Sequence, residues 1–121
     1  MKSLVILMFL ASHASADKWT RTDTAFEAIT LLSLAIDHNQ TNQIVRDANM
    51  QNPLVEEANP LIGGQGQNIS PDAYFLMVAL VHVTVAAVLP QPYRRISQLA
   101  IIAVQTHAIT HNWSAGYEFK F

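Results

Sequence analysis

Hydrophobic and polar positions recur with a helical period in three stretches of this chain. Over residues 22–46, Ala25, Ile29, Leu32, Ala35 and Ile36 keep the spacing of one helix face, and Thr22 or Asp23 can cap it. Glu27, Thr30, Asp37, His38 and Thr41 gather on one broad polar face, so this predicted helix is amphipathic rather than a plain membrane span. Residues 73–89 form the most apolar stretch, interrupted only by His82 and Thr84. Ser70 or Asp72 can start it, and Pro90 stops it. After the tight connection Pro90-Gln91-Pro92-Tyr93, residues 96–111 give a second apolar helix, ended by Asn112 and Gly116. The pattern predicts an all-α fold: a small helical bundle of about three helices, the last two forming an apolar hairpin.

The first sixteen residues follow a different pattern. A basic start at Lys2, unbroken apolar sequence from Leu4 to Ala11, and the small-x-small run Ala14-Ser15-Ala16 have the order of a secretory signal peptide. The apolar run is far short of the roughly 20 residues that span a bilayer, so cleavage is favoured over anchoring. The expected organisation is a signal peptide at 1–16 and a single helical domain at 17–121. A long loop over residues 47–72 carries Pro53, Pro60, Pro71 and Gly63-Gly64-Gln65-Gly66.

Charge and composition narrow the classes. Charged residues make up 13% of the chain, against roughly 25% in soluble domains. Without Lys2, six basic side chains face nine acidic ones, a net charge of −3, and no basic patch offers itself to nucleic acid. There is no cysteine, so an exported chain is held by packing or by a membrane, not by disulfides.

Each apolar helix is close to the lower limit of about 17 residues for a span. If only the last two span, the long loop faces outward and Arg94-Arg95 face the cytoplasm, as the positive-inside bias favours. The expected location is therefore the inner membrane, with an outward-facing N-terminal part packed on the hairpin. The alternative is a periplasmic domain whose two apolar helices are its core.

Candidate chemistry is sparse. Asp37-x-x-Gln40-Thr41 puts an acid and two polar groups within one turn, and an ionised Asp near a membrane or core needs a partner. It could bind a cation or move protons, but a hydrogen-bonded brace is favoured. Glu57-x-Asn59-Pro60 lies in the long loop, where Asn59-Pro60 fixes a turn and Glu57 could join Asp37 or be solvated. His82 stands alone on an apolar helix and reads as a core histidine. His107-x-x-x-His111 has zinc-compatible spacing but is half a site, without the Glu of a metalloprotease motif. Gln98 and Gln105, one heptad apart, share a face and would turn inward in lipid. No phosphate loop, nucleophile elbow or cofactor motif is present, so no cofactor is expected and catalysis is disfavoured.

The series Asp37-x-x-Gln40-Thr41, Glu57-x-Asn59-Pro60-Leu61-Ile62-Gly63, Tyr74-Phe75, His82, Leu89-Pro90 and Asn112 with Gly116 resembles a group of small uncharacterised bacterial and prophage membrane proteins. The resemblance implies a signal peptide, a D-x-x-Q-T helix, an E-x-N-P loop and two apolar helices. It singles out Asp37, Gln40, Thr41, Glu57, Asn59 and Pro60 together. Where that group often carries an acid in the last helix, this chain has Gln105. It implies a location and a class, not an activity. The simplest structural role is that Asp37 and Gln40 hold the backbone of the 57–63 loop.

The reading is a small exported, membrane-associated protein, a structural or interaction component of a bacterial or phage-encoded envelope. Its expected partners are the membrane and a protein or second copy. The alternative is a small-ligand or metal-binding helical protein using Asp37, Glu57 and the histidines.

Overall fold

The computed structural model describes residues 18–49, 62 and 69–120. Residues 1–16, expected as a signal peptide, and the loop residues Glu57, Asn59 and Pro60 lie outside the described residues. Three helices follow in order: α1 (Arg21–Asn49), α2 (Pro71–Val88) and α3 (Tyr93–Ser114).

Each helix starts where the backbone finds a cap. Thr20, not Thr22 or Asp23, caps α1, because Thr20 and Asp23 satisfy one another. The Asp23 amide donates to Thr20 Oγ1 at 3.2 Å, and the Thr20 amide donates to Asp23 Oδ2 at 2.9 Å. This is a capping box with Asp in the place of Glu. Ser70 caps α2, accepting from the Ala73 amide, with Pro71 in the first turn where its lack of an N–H costs nothing. Helix α3 runs about a turn further at each end than periodicity predicts. It closes with the Gly116 amide on the Trp113 carbonyl, and Gly116 at φ +94° takes the left-handed turn that a Cβ would oppose.

Cross-helix pairs fix the topology. Arg94 at the start of α3 meets Asp23 at the start of α1, and Asn112 near the end of α3 meets Asp37. Helices α1 and α3 are therefore parallel. Helix α2 runs antiparallel, since its first-turn Asp72 meets His38 and its later His82 meets Glu27. The first helix lies alongside the hairpin rather than beyond it.

The distribution of side chains is inverted relative to a water-soluble bundle. Twelve polar or charged residues are buried among the described residues: Asp23, Glu27, Thr30, Ser33, Asp37, Gln40, Thr41, Gln43, His82, Arg94, Gln98 and Gln105. The buried hydrophobic set is small: Leu34, Ile44, Ile62, Phe75 and Ala86, with Ile62 of the long loop seated against Leu34 and Phe75. Meanwhile Leu32, Leu76, Leu80, Val81, Ile96 and Val104 are each more than half exposed. An exposed Leu is unremarkable, but buried charges beneath so many exposed apolar side chains are informative. The polar face of α1 points inward.

Candidate functional site: a polar interior

The interior divides into layers along α1. At one end, Asp23 is fully buried and collects donors. Its Oδ2 accepts from the Thr20 hydroxyl at 2.8 Å, Gln91 Nε2 at 2.7 Å and Arg94 NH1 at 3.2 Å, and its Oδ1 accepts from Arg95 Nε at 3.4 Å. Arg94 is 1% exposed. Its Nε donates to the Ala86 carbonyl at 2.8 Å, and its guanidinium lies 4.8 Å from the Trp19 ring centroid. One side chain thus ties α1, α2 and α3 together, and its charge is matched, as a buried charge must be.

One turn deeper, Gln98 donates to the Asp23 carbonyl at 3.1 Å and to Glu27 Oε2 at 2.9 Å. His82 Nε2 lies 3.3 Å from the same Glu27 oxygen, close but not aligned for a hydrogen bond. Glu27 Oε1, Gln98 Oε1, Gln105 Oε1 and His82 Nε2 are buried without a hydrogen-bond partner. Fully buried polar atoms of this kind are few in folded proteins.

At the opposite end, the D-x-x-Q-T residues meet α3 and the C-terminal segment. Asn112 Nδ2 donates to Asp37 Oδ1 at 3.2 Å, and Gln40 Nε2 donates to the Tyr117 carbonyl at 2.7 Å. Asn39 brackets Lys120, donating to its carbonyl at 2.6 Å and accepting from its amide at 2.9 Å, while Gln43 Nε2 donates to the Glu118 carbonyl at 2.7 Å. Three amide side chains thereby hold residues 117–120 against α1. Burial, and then the nearby Asp47 carboxylate, push the Tyr117 phenol above its ordinary value. Thr41 is buried beside this clasp. Replacing Gln40 with Leu is expected to release the tail. The readout is faster amide hydrogen exchange over residues 117–120, with little change over α2.

The sequence-derived candidates are therefore only partly brought together. Asp37 and Gln40 join Asn112, while His82 sits with Glu27 in a different layer. His107 and His111 stack at 6.5 Å between ring centroids on an exposed face of α3. Among the described residues, no group of three His, Cys, Asp or Glu side chains could hold a metal ion. A cavity of about 420 Å³ lies near this end, with Asp37, Gln105, His107 and Asn112 on its polar side and Tyr74, Phe75 and Val78 on its apolar side. The Asp23–Arg94 pair and Glu27 were not foreseen. The sequence signals behind them are the polar face of α1 that carries Glu27 and the series Arg94, Gln98, Gln105 and Asn112, polar residues at helical spacing through an apolar helix.

No family model, curated protein or solved structure matches this chain. The functional reading rests on the geometry.

Proposed function

We propose that this chain is a small membrane-embedded helical bundle of a bacterial or phage-encoded envelope, acting as a structural or interaction component. The observation that carries the reading is the inversion of polarity: polar and charged groups inside, apolar side chains outside. Lipid makes that arrangement favourable, since buried polar groups pair across helices and apolar groups meet hydrocarbon. Among the described residues, one helix, Pro71–Val88, is long and apolar enough to cross a membrane, with mean hydropathy 1.7 and 22% of it buried. The core helix of a soluble bundle would be mostly buried. At 1.5 Å per residue its 18 residues reach about 27 Å, close to the roughly 30 Å hydrocarbon core.

The parallel placement of α1 favours a different orientation from the one in which only the last two helices span. Because α1 runs beside α2 and α3, a hairpin that spans takes α1 with it. Lys18 and Arg21 then share one end with Arg94 and Arg95. Export of the N-terminus therefore places Arg94-Arg95 outside, and the cytoplasmic position expected for them is incompatible with a spanning α1. We take the exported orientation. Asp23 binds both arginines, which weakens them as markers of the inner side.

The absence of cysteine makes the test clean. Tyr93→Cys and Glu118→Cys report on opposite ends of the bundle, and both positions are exposed. In intact spheroplasts a membrane-impermeant maleimide is expected to label Tyr93→Cys, and to label Glu118→Cys only after permeabilisation. Labelling of both from outside would replace the membrane reading with a periplasmic helical domain.

A further inference from the structure

We propose that the polar seam between α1 and α3 is a hydrated proton path, with Glu27 and His82 as its proton-carrying groups. The inference rests on the membrane reading above and goes beyond it by assigning the interior an activity.

The seam follows both helices in the same direction. Paired positions differ by 71 at Asp23–Arg94 and at Glu27–Gln98, and by 75 at Asp37–Asn112. Gln105 stands one heptad from both Gln98 and Asn112, and carries the series between them. On α1, buried Thr30 and Ser33 fall between Glu27 and Asp37. Buried polar groups therefore recur along the interior, beneath exposed apolar side chains such as Leu32, Leu76, Leu80, Val81 and Ile96.

The unpartnered atoms indicate what the seam takes. Glu27 Oε1, Gln98 Oε1 and Gln105 Oε1 are all acceptors, and His82 Nε2 faces Glu27. A buried acceptor without a donor costs roughly 1–3 kcal/mol. Glu27, Gln98 and His82 form one such cluster, and Gln105 stands a heptad further along, on the cavity with Asp37 and Asn112; what answers each is a small molecule that can donate hydrogen bonds. Water fits, bridging two to four polar groups, and so does its protonated form. Ionisable residues at such depth are costly and mark proton or ion routes.

The charged and titratable groups facing this layer are Asp23 on α1, Arg94 and Arg95 on α3, and His82 on α2. Asp23 offsets Arg94 in the buried layer, and the second guanidinium, Arg95, is 40% exposed to its surroundings. A proton entering there is accepted by the Glu27 carboxylate. It passes to the imidazole or to water, and leaves by the Asp37–Asn112 end. Each group returns to its starting state, and no co-reactant is consumed.

The test uses the full chain in vesicles of phosphatidylethanolamine and phosphatidylglycerol, with a pH-sensitive dye inside. A potassium gradient with valinomycin sets the potential. Wild-type vesicles are expected to acidify faster than protein-free ones without releasing a trapped small dye. Glu27→Gln keeps shape and is expected to fall to the protein-free rate. Glu27→Asp recovers part of the flux, and the lipid-facing Leu80→Ala keeps all of it. Gln98→Leu removes the amide that donates to Glu27 Oε2, and its acceptor oxygen with it, without removing a charge; it slows the flux and is a second probe should Glu27→Gln misfold. Flotation after a carbonate wash and circular dichroism report insertion and helicity in the same samples. Inserted, helical wild-type protein that acidifies vesicles no faster than lipid alone would overturn the proton path and leave the membrane reading standing. Equal flux through folded Glu27→Gln, or release of the trapped dye, would overturn it too. Protein that fails to float would sink both.

Discussion

Asp23→Ala is expected to destabilise the bundle by about 3 kcal/mol, the low end of the range for breaking a buried ion pair. The low end applies because the pair sits under a thin cover of Trp19, Thr20 and Gln91 at the bundle end. The substitution leaves the Arg94 guanidinium, 1% exposed, without its carboxylate. It also removes the capping box of α1 and the acceptor for Gln91. Unfolding in detergent, followed by circular dichroism, measures the loss. Asp23→Ala with Arg94→Leu is expected to lose less than the sum of the two single changes, because removing both charges removes the desolvation cost. A loss below about 1 kcal/mol in Asp23→Ala would mean the pair behaves as a solvated surface bridge.

The second large effect lies on the outside. Leu80 is 60% exposed in the middle of α2. Were that face in water, Leu80→Arg would fall within about 0.5 kcal/mol of neutral, like most surface changes. In the centre of a spanning helix an arginine costs about 2.5–3.5 kcal/mol of insertion. The expected outcome is a large fall in the membrane-integrated fraction, with Leu80→Ala close to wild type. Normal yield and unchanged fractionation of Leu80→Arg would count against lipid contact at this face.

The helices were legible because their signals are local. Ser70-Pro71 starts α2, Pro90 follows its end, and Gly116 closes α3. The cap of α1 lies two or three residues before the expected Thr22 or Asp23, because Thr20, Thr22 and Asp23 all suit an N-terminus and only the reciprocal bonds of Thr20 and Asp23 decide among them. The broad polar face of α1 was visible, but a hydrophobic pattern separates two faces without saying which one turns inward. That depends on the partner helices and on the surrounding medium. The key pairs were not legible. Asp23 and Arg94 are 71 positions apart, and nothing local to either predicts the other. Gln98 and Gln105 were read as inward-facing, and both are buried, with Gln98 bonded across to α1. For the D-x-x-Q-T segment, the expected loop partners other than Ile62, which lines the same cavity as Asp37 and Thr41, fall outside the described residues. Its observed partners are α3 and the C-terminal segment, which no spacing rule connects to it.

The measurement that tests the inverted bundle most directly is fractionation after an alkaline carbonate wash. The full-length chain, tagged at its C-terminus and produced in a bacterium, is expected to stay in the membrane pellet and to need detergent for release. Recovery in the periplasmic fraction, folded and helical without detergent, would contradict the account. It would leave an apolar exterior facing water and demand a protein partner to cover it.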